Sequence, residues 1–354
     1  MSRFWSDVNK RLSPYTPGEQ PRNKKYIKLN TNENPYPPSP GVIAAIEKNL
    51  NGSLRLYPDP SCEELRTAIA EYYNLKKEQV YAGNGSDELL AFAFLAFFNP
   101  GGPRILFPDI TYSFYKVYAA LLKIDYELVL LDDDFSIHPE MFFKNNGGVI
   151  IANPNAPTGK FLPLESVADI LEHNSSKVVI IDEAYIDFGG DSAVGLIEKY
   201  PNLLVIQTFS KSRALAGLRV GFALGREELI EGLDRIKNSV NSYTLDRLSL
   251  AGAIAAIEDD AYFQDVRRKI TASRERVSGE LREIGFKVIP SMANFIFITH
   301  PFIPAAELFL KLKGKGILVR YFKEPGIDNY LRVSIGTDEE MDLFTGALKE
   351  IPGI

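Results

Sequence analysis

The chain has 354 residues, 45% of them apolar and 24% charged, with a net charge of -6, which excludes disordered and fibrous classes and gives nucleic acid or an anionic membrane little to hold. Its length exceeds what one hydrophobic core usually supports, so two domains are expected. A single cysteine, Cys62, allows no internal disulfide and fits the cytoplasm; no run is apolar enough to span a bilayer, and His138, His173 and His300 form no metal-ligand pattern.

Residues 1–40 are rich in proline and asparagine, with S-P-Y at 13–15 and T-N-E-N-P-Y-P-P at 31–38. They read as an extended arm, because proline removes donors and restricts the residue before it. Gly41–Leu50 reads as a helix and L-R-L-Y-P-D-P at 54–60 as a loop containing Tyr57. Ser61 with Glu64 predicts a capping box for a helix carrying Leu65, Ala68, Ile69 and Tyr72 on one face.

Val80–Ala82 leads into Gly83, Gly85, Ser86 and Asp87, before an apolar helix over Leu89–Phe98. Glycines let the backbone approach an anion, and the first free amides of a helix can hold it. A short strand, Ile105–Phe107, precedes D-I-T-Y-S-F at 109–114, where Tyr112 fits a core position. The strand Gly148–Ala152 ends in N-P-N-A-P-T-G at 153–159. Its asparagine amides suit a phenolate oxygen, with Asn155 favoured over Asn153.

Lys177–Ile181 is a near-continuous apolar run ending at Asp182, with Tyr185 three residues on. A carboxylate buried there needs a cationic partner. Leu203–Ile206 then delivers Ser210 and Lys211 into a turn, eight residues before Arg219. A lysine at the end of a buried strand can attack an aldehyde, while hydroxyls and a guanidinium hold a phosphate ester. Pyridoxal phosphate carries an aldehyde, a phosphate and a ring nitrogen that matches Asp182. Val220–Leu224 continues the strand–loop–helix alternation of an α/β fold with a mostly parallel sheet covered by helices on both faces.

From about residue 245 the pattern changes to a smaller α+β domain. A long helix over Ala261–Ile284 turns Val266, Ile270, Val277 and Leu281 inward and stops at Gly285. Strands follow at Phe286–Ile289, Asn294–Thr299, Ile317–Tyr321 and Tyr330–Ile335, with helices near Ala305–Lys313 and from Asp338. The expected division is an arm (1–40) joined to the small domain, a large domain (41–245) and a small domain (246–354). Arg320 and Arg332, both within strand-like runs, suit an anion clamp, because guanidinium planes match carboxylate and phosphate oxygens in pairs.

With G-N-G-S-D-E at 83–88, D-E-A-Y at 182–185 and T-F-S-K-S-R-A-L-A-G-L-R-V-G at 208–221, the chain resembles the fold-type-I pyridoxal-phosphate aminotransferases of class II, most closely those acting on histidinol phosphate. The resemblance runs nearly end to end. It departs from a common family pattern at Ala156, where many relatives carry asparagine. It implies a catalytic set of Lys211, Asp182 and Tyr185, with Gly85, Ser86, Asp87, Ser210 and Arg219 on the cofactor phosphate and Tyr112 stacked on the ring. It further implies a homodimer in which Tyr57 reaches the neighbour's cofactor, and substrate contacts from Tyr15, Arg320 and Arg332. The implied reaction exchanges histidinol phosphate and 2-oxoglutarate for imidazole-acetol phosphate and glutamate in histidine biosynthesis. Aromatic amino-acid aminotransfer and threonine-phosphate decarboxylation are the alternatives within the same fold.

Overall fold

The structure, a computed structural model, describes residues 2–14, 18–20 and 26–354. Its strands are β1 (Ile27–Leu29), β2 (Val80–Gly83), β3 (Ile105–Pro108), β4 (Tyr126–Val129), β5 (Val149–Ala152), β6 (Val179–Asp182), β7 (Leu203–Thr208), β8 (Gly221–Gly225), β9 (Lys287–Ile289), β10 (Phe295–Thr299), β11 (Ile317–Tyr321) and β12 (Leu331–Ser334).

The larger sheet has the order β2-β8-β7-β6-β5-β3-β4. Strand β8 is antiparallel to both neighbours, and the other pairings are parallel. Along β5, β6 and β7 successive residues feed opposite cores. Val149, Ile151, Val179, Ile181, Leu203 and Val205 pack on one face, and Ile150, Ile180, Leu204 and Ile206 on the other. All are fully buried, which is why these strands read as unbroken apolar runs rather than alternating ones. Truncating any of the leucines or isoleucines among them to alanine would cost about 2–5 kcal/mol.

The smaller sheet has the order β1-β11-β12-β10-β9, with β1 parallel to β11 and the other pairings antiparallel. Its core takes Val266, Ile270, Val277 and Leu281 from the helix Asp260–Glu283. Thus the segment read as an extended arm contributes a strand, β1, beside the C-terminal elements.

Several elements differ from expectation. Ser61 and Glu64 form no capping box: Cys62 stands at the helix N-terminus with φ 52°, and Asp59 accepts from Ser61 Oγ at 2.6 Å and from the N–H of Glu63 at 2.7 Å. A carboxylate is the stronger acceptor for exposed amides at a helix start, so Asp59 displaces the serine. Cys62 is buried, and burial pushes its thiol up to about 11. Strand β4 was not apparent in the pattern, since its first residues are exposed or half-buried. The helix Arg247–Glu258 puts Ala253, Ala256 and Ile257 into the core of the larger sheet, so the side chains just beyond residue 245 pack there and not with the smaller sheet.

Candidate active site

Strands β2, β6 and β7 run in one direction and end at one edge of the larger sheet, while β8 starts there. Gly83, Thr208 and Gly221 are therefore neighbours in register. The helix Gly85–Phe97 begins two residues after β2 ends, earlier than expected, so Gly85, Ser86 and Asp87 form its first turn. Their amides have no partner within the helix and present partial positive charge to the cleft.

Close approach at this corner requires glycine twice. A Cβ on Gly221 would stand 2.7 Å from the carbonyl carbon of Gly85 and from the nitrogen of Ser86. One on Gly85, whose φ is +74°, would stand 2.7 Å from Arg219 Nη2. Arg219 Nη2 pairs with Asp87 Oδ2 at 3.1 Å, and Ser210 Oγ accepts from Thr208 Oγ1 at 3.0 Å. Tyr112 donates to the other Asp87 oxygen at 2.7 Å. Amides, hydroxyls and a guanidinium thus converge on one corner, a donor set that fits a phosphate ester.

Asp182, the last residue of β6, is 4% exposed. Burial raises its carboxyl to about 6, although Tyr115 donates to Oδ2 at 2.7 Å and the N–H of Ala184 to Oδ1 at 3.3 Å. A cationic nitrogen placed against it would restore the charged form. Lys211 Nζ donates to the Thr31 carbonyl at 3.5 Å and stands 5.8 Å from the centre of the Tyr185 ring. Asn34 donates to the carbonyls of Lys211 and Ser212, which pins the turn. The Tyr185 hydroxyl accepts from Asn32 Nδ2 at 3.0 Å.

Arg320 and Arg332 are cross-strand partners in β11 and β12. Arg332 Nη2 donates to the Asn30 carbonyl at 3.2 Å, and its guanidinium lies 5.3 Å from the Phe295 ring centre. Like charges placed opposite each other repel, and an anion between them removes the penalty.

Ser86, Asp87, Tyr112, Asp182, Tyr185, Ser210, Lys211, Arg219, Arg320 and Arg332 all line one cavity of about 150 Å³. A second cavity of about 320 Å³ shares Tyr112, Ala156, Arg320 and Arg332 with it. Buried Asn30 lines the first cavity, and its Oδ1 has no partner among the described residues. The carboxylate, lysine and anion corner together fit pyridoxal phosphate.

Two expected residues stand elsewhere. Asn155 does not line the cavity. Its Oδ1 accepts from Thr111 Oγ1 at 2.8 Å, and its Nδ2 donates to the Ile110 carbonyl and to Thr158 Oγ1. Asn153 is likewise committed, donating to the Leu162 carbonyl and accepting from its N–H. Both amides brace their own proline-rich loop, and Ala152 and Ala156 line the cavity instead. Tyr57 is 78% exposed and stacks on Tyr243 with ring centres 4.6 Å apart. Tyr15 lies outside the described residues. Conversely, Asn32, Thr208 and Tyr115 join the site without having been singled out; the position of Tyr115 in D-I-T-Y-S-F-Y, one helical turn after Tyr112, was the available signal.

The chain matches the family model for aminotransferases of class I and II over residues 24–348. It is 61% identical over 350 residues to a histidinol-phosphate aminotransferase of Clostridium acetobutylicum, covering 99% of each chain. To that of Clostridium beijerinckii it is 57% identical over 351 residues, covering 99% of this chain and 98% of the other. The crystal structure of the histidinol-phosphate aminotransferase of Sinorhizobium meliloti in complex with pyridoxal-5'-phosphate superposes with a TM-score of 0.89 at 26% identity, covering 99% of this chain and 98% of that one.

Proposed function

The chain belongs to the class I and II aminotransferases, and among them to those acting on histidinol phosphate; from that premise we propose that it transfers the amino group of histidinol phosphate to 2-oxoglutarate, with pyridoxal phosphate as cofactor. The observation that carries the reading is the meeting of Lys211, Asp182, the anion corner and the arginine pair Arg320 and Arg332 around one cavity. When bound, pyridoxal phosphate supplies an aldehyde that condenses with amines and a ring that accepts the electrons left on the substrate carbon.

The residues divide the work by position. Ser210, Arg219 and the amides of Gly85, Ser86 and Asp87 would hold the cofactor phosphate. Asp182 would meet the ring nitrogen and favour a proton there, because a cation beside a buried carboxylate offsets the burial that opposes its charge. Lys211 would hold the cofactor through its Nζ, and the same amine, once free, would serve as the base that moves a proton from the substrate carbon. Tyr112 would cover one ring face, and Tyr185 would donate to the ring oxygen. Arg320 and Arg332 hold the substrate phosphate, and then the distal carboxylate of the second substrate. A buried Asp182 and a lysine in the turn after β7, lining the same cavity, have no structural purpose in a retired scaffold, which disfavours a non-enzymatic role.

The reading includes a cytoplasmic homodimer. Its support is Tyr57, an exposed aromatic outside its own chain's cavity that would complete a neighbour's. Within each chain we place the join between the cofactor-binding and smaller domains near Asp259, which caps the helix Asp260–Glu283. Lys211→Ala tests the function: turnover of histidinol phosphate is expected to vanish, and a fully active variant would end the proposal.

A further inference from the structure

We infer that Asn32 is the positioning residue that makes the Tyr185 hydroxyl a donor into the active-site cavity, a role that neither asparagine of the 153–159 loop fills. The inference rests on the reading above that Tyr185 meets the cofactor's ring oxygen.

A phenol has one proton to give and two lone pairs to receive with. Asn32 Nδ2 donates to the Tyr185 oxygen at 3.0 Å. An amide N–H can only donate, so it occupies a lone pair and forces the tyrosine's own proton to point elsewhere. Asn32 and Tyr185 both line the cavity, which offers that direction.

Asn32 is held by three bonds, two on its backbone and one on its side-chain amide. The Asn32 N–H donates to Ser334 Oγ at 2.8 Å, and Ser334 Oγ donates in turn to Asn32 Oδ1 at 3.1 Å. Asn294 Nδ2 donates to the Asn32 carbonyl at 3.1 Å. The second of these bonds sets the polarity: with Oδ1 accepting from the serine, Nδ2 is the end that faces Tyr185. Asn32 is 1% exposed and adopts φ 54°, a left-handed conformation that asparagine tolerates better than most residues.

This arrangement also joins parts of the chain that are remote in sequence. Ser334 ends β12 in the smaller sheet, Asn32 lies just beyond β1, and Tyr185 follows β6 of the larger sheet. Tyr185, which lines the cavity, is therefore oriented from the smaller sheet. Asn153 and Asn155 contribute nothing here, because their amides are spent on Leu162, Ile110 and Thr158.

The test uses Asn32→Asp in the holoenzyme. Aspartate keeps the shape, the backbone N–H and the bond from Ser334, but presents an acceptor where Nδ2 stood. It draws the tyrosine proton to itself and away from the cavity. The readout is the pH at which the visible absorbance of the bound cofactor changes, with the melting temperature of the cofactor-free protein as a folding control. Asn32→Asp and Tyr185→Phe are each expected to shift that pH upward by about one unit, and the double variant by no more than either alone. Ser334→Ala, which frees the amide without touching Tyr185, is expected to shift it in the same direction. If Tyr185→Phe shifts the transition and neither Asn32→Asp nor Ser334→Ala does, or if Asn32→Asp still shifts it in the Tyr185→Phe background, the inference is overturned. A Tyr185→Phe variant that leaves the transition in place would instead defeat the underlying role of Tyr185.

Discussion

Tyr115 donates its hydroxyl to Asp182 Oδ2 at 2.7 Å, and both side chains are buried. The bond favours the charged carboxylate against the burial that opposes it. Tyr115→Phe keeps the ring and removes the donor, so the carboxyl is expected to move further up. Steady-state kinetics should show kcat lowered about tenfold, equivalent to about 1.4 kcal/mol. An unchanged kcat would remove Tyr115 from the account.

Glu183, next to Asp182, is 2% exposed and accepts from Ser192 Oγ, the Ala193 N–H and Gln207 Nε2. Burial raises its carboxyl from 4.5 to about 7. A group whose folded pKa is raised contributes stability that is fully present below its unfolded value and lost as pH rises through the folded one. Thermal melts of the cofactor-free protein should therefore show wild type losing stability relative to Glu183→Gln as pH rises from about 4.5 to about 7, and levelling off above. A difference that is flat with pH, or that grows in favour of wild type, contradicts the assignment.

Arg332→Lys tests the clamp. Lysine keeps the charge but loses the planar pair of donors and the contact with Phe295. The KM for histidinol phosphate should rise about tenfold or more, with a smaller change in kcat. An unaltered KM would place the substrate phosphate elsewhere.

Shared sites have a complementation signature. If each cavity combines Lys211 of one protomer with Tyr57 of its partner, a mixed dimer of Lys211→Ala and Tyr57→Ala carries one intact site. Mixing the two weak variants under exchange conditions should restore activity, and sedimentation should show a dimer. No recovery on mixing, or a fully active monomer, removes Tyr57 from the site.

Gly221→Ala probes the anion corner. The added methyl would collide with the backbone of Gly85 and Ser86 at 2.7 Å, and backbone cannot rotate aside as a side chain can. Cofactor affinity should fall by about 1–3 kcal/mol, measured by absorbance titration of the cofactor-free protein.

Much of this was legible in the sequence because its signals are local. Unbroken apolar runs marked β5, β6 and β7 since both sheet faces are covered, and Asp182 and Lys211 follow from where those runs stop. Hydrogen-bond partners set by tertiary approach were not legible. Asn155 was expected to offer its amide to a phenolate oxygen, but the proline-rich loop folds back and spends that amide on Ile110 and Thr158. Asn32 looked like arm composition until β1 paired with β11 and brought Ser334 beside it. The Ser61 cap failed for a related reason, because a carboxylate two residues upstream reached the same amides first.

The most direct measurement is the visible spectrum of the purified holoenzyme as histidinol phosphate, phenylalanine and phosphothreonine are added in turn without a keto acid. Loss of the bound cofactor's absorbance at low histidinol phosphate, and only sluggish loss with the other two, is the predicted result. Faster loss with phenylalanine, or release of carbon dioxide from phosphothreonine, would contradict the substrate assignment.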